Sequence, residues 1–216
     1  MTSTVTIIDY GIGNLRSVCQ AFEHLGSEVL QTDSPQAIEE SERVVLPGVG
    51  AFADGMEGLR SAGLIEPILR YAATGRPFLG ICLGMQMMME VGEEFGEHKG
   101  LGLIAGKVTR IPDTTVQGEP LRVPQVGWNC LHIPADQGSD WWRGTILEGT
   151  RAMNAVYFVH SFASIPVDAS CRLAECSYGG HEIVAAIRKN KMYGCQFHPE
   201  KSGLIGLRIL EKFLRI

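Results

Sequence analysis

The chain has 216 residues, of which 45% are hydrophobic and 20% are charged, and its formal net charge is −5. This is the composition of a globular protein, and the weakly acidic charge argues against a surface built to bind nucleic-acid phosphates. We see no secretory leader and no apolar run of about 20 residues, the length that spans a bilayer. We therefore expect a cytoplasmic protein without membrane association, folded as a single domain over residues 1–216.

The first eighty residues alternate between strand-like and helix-like segments. An apolar, β-branched run predicts a strand at Val5 to Asp9, and further short strand-like runs follow at Glu28 to Gln31, Arg43 to Leu46 and Phe78 to Ile81. Helical spacing of apolar residues predicts helices at Asn14 to His24 and Leu59 to Ala73, and the run from Met85 to Glu90 favours a third. This β-α rhythm indicates an α/β fold with a mostly parallel central sheet flanked by helices.

The pattern changes after about residue 100, where short strand-like pieces are separated by turn residues. We expect them to form antiparallel hairpins that extend the central sheet, with an amphipathic helix at Leu204 to Leu214 closing the chain. The pieces are Lys107 to Ile111, Arg122 to Val126, Ala155 to Val159, Arg172 to Ser177, Ile183 to Arg188 and Met192 to Phe197.

A cysteine follows the fourth strand in a Gly-x-Cys-x-Gly turn, residues 80–84. Glycines on both sides allow a sharp turn that lifts the Cys82 sulfur out of the carboxyl edge of the sheet, as in the nucleophile elbow. The start of the following helix presents free N–H groups, which favour a thiolate. On these five residues alone, a nucleophile is only slightly favoured over a buried structural cysteine.

A nucleophilic thiol needs a base, and His198 is the best placed of the six histidines. It follows an apolar strand and precedes Pro199, which favours an extended conformation. Residues two apart then point the same way, so Glu200 is expected to orient His198. The oxyanion of a tetrahedral intermediate would need donors, for which we predict the N–H groups of Val49, in Pro-Gly-Val-Gly, and Leu83.

Motifs along almost the whole chain resemble one enzyme family. Residues 80–86, Gly-Ile-Cys-Leu-Gly-Met-Gln, and residues 196–200, Gln-Phe-His-Pro-Glu, resemble the class I glutamine amidotransferases. Further stretches resemble, within that family, the glutaminase subunits of imidazole glycerol phosphate synthase. These stretches are Asp9 to Leu15, Pro47 to Phe52, Gly127 to Asn129, Tyr157 to Ser161 and Phe197 to Ser202.

The resemblance implies a flavodoxin-like sheet and a Cys82–His198–Glu200 triad that hydrolyses glutamine to glutamate and ammonia. It implies a (β/α)8 synthase subunit as heterodimer partner, which would use the ammonia to form imidazole glycerol phosphate and an aminoimidazole carboxamide ribonucleotide in histidine biosynthesis. No cofactor or metal is implied. The implied glutamine pocket comprises Gly50, Gln86, Glu94, His160 and Ser161, and the implied partner face includes Asn14, Trp128 and Asn129.

Two departures and several alternatives stay open. Gln125-Val126 stands where the family usually has His-Met, and Phe162 stands where tyrosine is frequent. Both positions lie near the pocket or partner face, so the same chemistry could serve an enzyme that amidinates surface-polysaccharide sugars.

A dinucleotide site at Gly11-Ile12-Gly13 is disfavoured because Arg16 replaces the third glycine. A cysteine peptidase would leave Gln86 unexplained, and a non-catalytic flavodoxin-like module would not need the triad.

Overall fold

The computed structural model describes residues 3–216, a chain of alternating strands and helices followed by a strand-rich second half. The helices are α1 (Leu15–His24), α2 (Pro35–Glu40), α3 (Phe52–Ser61), α4 (Ile65–Ala73), α5 (Leu83–Met87) and α6 (Gly203–Leu214). The strands are β1 (Thr4–Ile8), β2 (Glu28–Thr32), β3 (Val44–Gly48), β4 (Phe78–Cys82), β5 (Met89–Gly92), β6 (His98–Lys99), β7 (Ile104–Arg110), β8 (Gln125–Cys130), β9 (Ala155–His160), β10 (Phe162–Pro166), β11 (Arg172–Tyr178), β12 (His181–Lys189) and β13 (Met192–Cys195).

The central sheet has the strand order β11-β12-β13-β4-β3-β1-β2. The five strands from β13 to β2 are mutually parallel, and β12 and β11 continue the sheet in antiparallel pairing. The parallel part has the flavodoxin-like order, in which the second strand lies at one edge. The predicted mostly parallel sheet with an antiparallel extension is confirmed.

Helices cover both faces of this sheet, and strand alternation divides the core between them. In β3, Val44 and Leu46 pack into one hydrophobic cluster and Val45 into the other, as the two-residue period of a strand requires. One cluster includes α1 and α6 through Phe22 and Phe213. The other includes residues of α2 to α5. No helix between residues 3 and 216 is long and apolar enough to cross a bilayer.

Part of the expectation for the second half was wrong. Only β11 to β13 join the central sheet, whereas β10, β7, β5 and β6 form a separate four-stranded sheet, and β8 and β9 form a two-stranded ribbon. The predicted strand at Arg122 to Val126 begins only at Gln125, and β10 was not predicted. Turn residues marked where strands end, but which strands pair depends on contacts distant in sequence.

Two predicted helices were also wrong in extent. The predicted helix at Leu59 to Ala73 is two helices, because Gly63 adopts φ +69 and ends the first with a left-handed residue. The predicted run from Met85 to Glu90 leaves the helix after Met87 and continues as β5. There the chain joins the four-stranded sheet by pairing with β6 and β7.

The turn after β4 fits against β3 without room for side chains. A Cβ atom on Gly84 would lie 1.8 Å from the Leu46 carbonyl oxygen, and one on Gly80 would lie 2.7 Å from the Met85 nitrogen. Both obstacles are backbone atoms, which cannot rotate away as a side chain would. Glycine at these positions is therefore a packing requirement of the turn.

Gly84→Ala should destabilise the protein by about 3 kcal/mol, the upper part of the range for overpacking. Helix propensity alone predicts the opposite sign, since alanine is favoured over glycine by about 1 kcal/mol. Urea unfolding of both proteins measures the difference. Gly138→Ala is the control, because no described atom lies within 4 Å of its added Cβ. Equal unfolding midpoints for the two variants would contradict the steric argument.

Candidate active site

The carboxyl edge of the parallel strands brings the predicted catalytic residues to one place. Cys82 ends β4 and pairs in register with Gly48 of β3, while Gln196 and His198 follow β13 on the other side of β4. A cavity of about 400 Å³ opens at this edge. It is lined by Val49, Gly50, Cys82, Leu83, Gln86, Glu94, Pro124, Val159, His160, Ser161, Phe162 and His198.

Cys82 has the backbone conformation of a strained turn. Its φ of 53° and ψ of −110° are unusual for a residue with a side chain. Such strain concentrates at functional sites, where the surrounding structure must impose it. The sharp turn predicted from Gly-x-Cys-x-Gly is therefore present, and the side chain is buried except for a small part at the cavity.

His198 and Glu200 form a buried pair. The Nδ1 atom of His198 lies 2.8 Å from Oε1 of Glu200, and both side chains are at most 2% exposed. Burial opposes a charged imidazole, but the adjacent Cys82 and the Glu200 carboxylate raise the pKa of His198 to about 9. Nε2 of His198 and Oε2 of Glu200 have no hydrogen-bond partner within residues 3–216. The pair therefore aligns the imidazole and leaves Nε2 uncommitted.

The backbone of His198 is held from both sides by neighbouring segments. Its N–H donates to the Tyr157 carbonyl at 2.9 Å, and its own carbonyl accepts from the Ser202 hydroxyl at 2.6 Å. The same hydroxyl oxygen accepts from the Tyr157 N–H at 2.9 Å. Ser202 and β9 therefore fix the position from which the imidazole reaches the cavity, and sequence reasoning assigned no role to Ser202.

Gln86 and His160, both predicted to bind glutamine, converge on one carbonyl. Nε2 of Gln86 and Nδ1 of His160 lie 3.0 and 2.8 Å from the oxygen of Phe162. Since a carbonyl only accepts, Nδ1 of His160 carries the proton. Burial lowers the pKa of His160 to about 4, so the ring is neutral and cannot act as a second cation beside His198.

The remaining predicted pocket and oxyanion residues also border the cavity. Val49 and Gly50 follow β3, Leu83 follows the cysteine, and Ser161 links β9 to β10. Glu94 accepts a hydrogen bond from the Phe52 N–H through Oε2 at 2.8 Å. Gly50 has φ +106, a conformation that favours glycine. The structure thus gathers every residue predicted for catalysis, the oxyanion and the pocket, with Glu200 behind His198.

The residues predicted to face a partner lie on exposed elements. Trp128 is 59% exposed on the outer face of the β8–β9 ribbon and contacts the Tyr157 ring edge-on, with centroids 6.1 Å apart. The side chain of Asn129 donates to the Ser177 carbonyl at 2.8 Å, and that of Asn14 accepts from the Ser17 hydroxyl at 3.1 Å. Asn129 therefore binds a neighbouring backbone carbonyl, Asn14 binds a side chain of its own helix, and Trp128 supplies exposed apolar surface.

The other cysteines and the acidic clusters offer weaker chemistry. Burial raises the pKa values of the Cys19, Cys171, Cys176 and Cys195 thiols, which keeps them protonated. His132, Glu175 and Glu182 place potential metal-ligand atoms within 4.8 Å of one another. However, Glu182 already pairs with His132, and Arg172 pairs with Glu175. This cluster is therefore accounted for by ion pairs.

Comparison with protein families and with individual proteins gives a consistent result. The model of the family described as glutamine amidotransferase class-I matches residues 6–216. The imidazole glycerol phosphate synthase subunit HisH 1 of Legionella pneumophila strain Lens is 50% identical over 214 residues, covering 99% of this chain and 100% of that protein. The HisH subunit of Syntrophotalea carbinolica is 47% identical over 210 residues, covering 97% and 98%.

Solved structures share the fold at low sequence identity. A glutamine amidotransferase crystal structure matches with a TM-score of 0.71 and 18% identity, over 98% of this chain and 97% of that one. The structure of PurLQS from Thermotoga maritima also matches with a TM-score of 0.71 and 18% identity, over 100% and 99%. These likenesses concern the fold alone, and they agree with the flavodoxin-like class predicted from the sequence.

Glu200→Gln should lower the pKa of His198 from about 9, because the amide removes a negative charge while burial still opposes the imidazolium. Nitrogen NMR of labelled imidazoles across pH 5–10 measures the midpoint, with His198→Asn identifying the signal. Glu211→Gln removes a carboxylate that pairs with Arg215 on α6 and should leave the midpoint in place. An unchanged midpoint in the Glu200 variant would mean that the carboxylate does not support the charged ring.

Proposed function

This chain belongs to the class I glutamine amidotransferase family, and from that membership we propose that Cys82, His198 and Glu200 are the triad through which it hydrolyses glutamine. It is a glutamine amidotransferase with a cysteine nucleophile. The observation that carries the assignment is the 2.8 Å contact between His198 and Glu200 beside the strained Cys82 turn, at one cavity.

The proposed reaction begins when the Cys82 sulfur attacks the side-chain amide carbon of glutamine. His198 holds the proton taken from the thiol, so the sulfur attacks as a thiolate, and the carbonyl oxygen becomes an oxyanion that the N–H groups of Leu83 and Val49 stabilise. His198 then protonates the amide nitrogen, the C–N bond breaks and ammonia leaves. Water, deprotonated by His198, cleaves the glutamyl thioester, giving glutamate and restoring the thiol. Glu200 orients the ring and balances its charge throughout.

The cavity suits the rest of a glutamine molecule. Glutamine carries an ammonium and a carboxylate at its α-carbon, and Glu94 supplies the negative charge at the cavity for the ammonium. One Glu94 oxygen is held by the Phe52 N–H, which positions the other. Gln86, His160, Ser161 and Gly50 complete the proposed pocket with polar groups and accessible backbone. This arrangement of a few polar groups in a concave site is typical of small-molecule binding.

We further propose that the ammonia passes to a synthase subunit of (β/α)8 fold, in a heterodimer that forms imidazole glycerol phosphate and an aminoimidazole carboxamide ribonucleotide. Full-length relatives at 44% to 50% identity carry the HisH name, which favours histidine biosynthesis over the amidination of surface-polysaccharide sugars. Asn14, Trp128 and Asn129 are the proposed partner-facing residues. Exposed apolar groups beside Trp128, namely Val126 and Val159, make the ribbon suitable for docking.

The central experiment measures both glutamine hydrolysis and covalent labelling of the nucleophile, in the complex with the synthase subunit. Cys82→Ala should abolish glutamine hydrolysis, a loss of at least about 10⁴-fold for a triad nucleophile. A glutamine analogue with an electrophilic side chain should modify Cys82 alone. Cys195→Ala is the control and should retain hydrolysis, since that thiol is fully buried and protonated. Labelling of another cysteine, or activity in the Cys82 variant, would refute the triad.

Trp128→Ala should weaken binding of the synthase subunit by about 30-fold, the loss expected for a hot-spot aromatic worth about 2 kcal/mol. Calorimetric titration of the purified subunits measures the dissociation constant. Val167→Ala is the matched surface control, because Val167 is 80% exposed at the end of β10 and has no proposed contact with the partner. Equal affinity of both variants would move the interface away from the ribbon.

A further inference from the structure

Gln196 is a fully buried side chain in contact with the Cys82 sulfur. Its Nε2 lies 3.8 Å from Sγ, and its Oε1 accepts from Nε2 of Gln86 at 3.0 Å. The position follows from strand register, since Cys195 of β13 pairs with Ile81 of β4 and the next residues are Gln196 and Cys82. Gln196 therefore flanks the nucleophile on the side opposite Gly48.

A backbone carbonyl fixes which end of the Gln196 amide faces sulfur. The Phe162 oxygen can only accept, so Gln86 must turn its NH₂ group towards it, 3.0 Å away. The same NH₂ group faces Gln196, which must then present its oxygen. Rotating the Gln196 amide would bring two NH₂ groups together. The NH₂ group of Gln196 therefore faces Sγ. The Phe162 carbonyl thus determines, through Gln86, that Gln196 donates to the sulfur.

Because Gln196 is buried, the orientation of its amide affects the free energy of the site. A buried carboxamide that lacks partners costs free energy, so Gln196 is retained in the core only with its amide satisfied. Its oxygen is satisfied by Gln86, and its NH₂ group faces the sulfur. A hydrogen bond to an ionised acceptor is about twice as strong as one to a neutral acceptor. The amide therefore interacts more strongly with a thiolate than with a thiol.

We propose that Gln196 is a hydrogen-bond donor to the Cys82 thiolate, aligned by Gln86 and the Phe162 carbonyl. This inference rests on the proposed role of Cys82 as nucleophile. The donor would stabilise the thiolate before attack on the amide carbon and again when the thioester breaks and sulfur leaves. No proton moves to or from Gln196, which distinguishes its role from that of His198.

Several other titratable groups lie around the Cys82 cavity or next to it, and a test must keep them constant. His198, with Glu200 behind it, comes from the segment after β13, His160 from β9, Glu94 from the segment after β5, and Tyr10 from the segment after β1. A substitution at Gln196 that adds no charge leaves these groups unchanged. Gln196→Met meets this condition, because methionine has similar length and neither donates strongly nor carries charge.

The test is the pH dependence of Cys82 alkylation by iodoacetamide in the complex with the synthase subunit, followed by mass spectrometry without glutamine. Thiolate is the reacting species, so Gln196→Met should move the midpoint up by about one pH unit and slow alkylation below it about tenfold. In the glutaminase assay, kcat should fall more than KM rises. Gln86→Met should mainly raise KM and leave more of the alkylation profile intact.

Gln125→Met is the matched control, since Gln125 is also buried and donates to a sulfur, that of Cys176, at 3.9 Å. It should leave the Cys82 profile unchanged. Gln196→Leu gives a second apolar replacement if the methionine variant does not fold. An unshifted profile in a folded Gln196 variant, or the same shift in the Gln125 variant as in the Gln196 variant, would overturn the inference. Hydrolysis by Cys82→Ala would instead overturn the proposed function, so the two failures are distinguishable.

Discussion

The site depends on one steric constraint, the contact of the turn after β4 with the backbone of β3. Gly84 lies so close to Leu46 that a Cβ atom would stand 1.8 Å from its carbonyl oxygen. This contact holds the turn close against the sheet, and Cys82, two residues before Gly84, has a strained backbone in the same turn. Strand register then places Gly48 on one side of Cys82 and Gln196 on the other. The geometry of the nucleophile therefore depends on how closely the turn packs against the sheet.

The features that could be predicted from the sequence are those that depend on local backbone geometry. Glycines around Cys82 indicated a sharp turn, which the structure has. The proline after His198 indicated an extended segment, and this was only partly right: His198 itself is extended, but Pro199–Lys201 forms a 3₁₀ turn. Glu200 therefore meets His198 through that turn and not through the two-residue period of a strand. The parallel strand order is also predictable, because alternating strands and helices allow few connections. The catalytic roles, the partner face and the single domain over residues 1–216 remain predictions, since geometry alone does not test chemistry, assembly or independent folding.

What the sequence did not reveal depends on contacts between distant segments. The β8–β9 ribbon pairs residues about 30 positions apart, and nothing local distinguishes it from a hairpin of the main sheet. Gln196 begins the Gln-Phe-His-Pro-Glu motif, but the sequence assigned it no role, and the structure shows that it touches Cys82, 114 positions away. A useful signal was its place immediately after an apolar strand and two residues before His198. A polar residue that is fully buried beside a nucleophile can be recognised only when the pairing and register of the strands are known.

Tyr157 connects the β8–β9 ribbon to His198, the proposed catalytic histidine, and so relates the proposed partner face to the proposed chemistry. The ring of Tyr157 packs against exposed Trp128, while its backbone carbonyl binds the His198 N–H and its N–H binds Ser202. Ser202 in turn binds the carbonyl of His198. The synthase subunit, if it docks on Trp128 as proposed, would therefore contact the ribbon whose Tyr157 backbone holds His198. Because two of these hydrogen bonds begin at the backbone of Tyr157, a displacement of Tyr157 along the strand would disturb the contacts that fix His198.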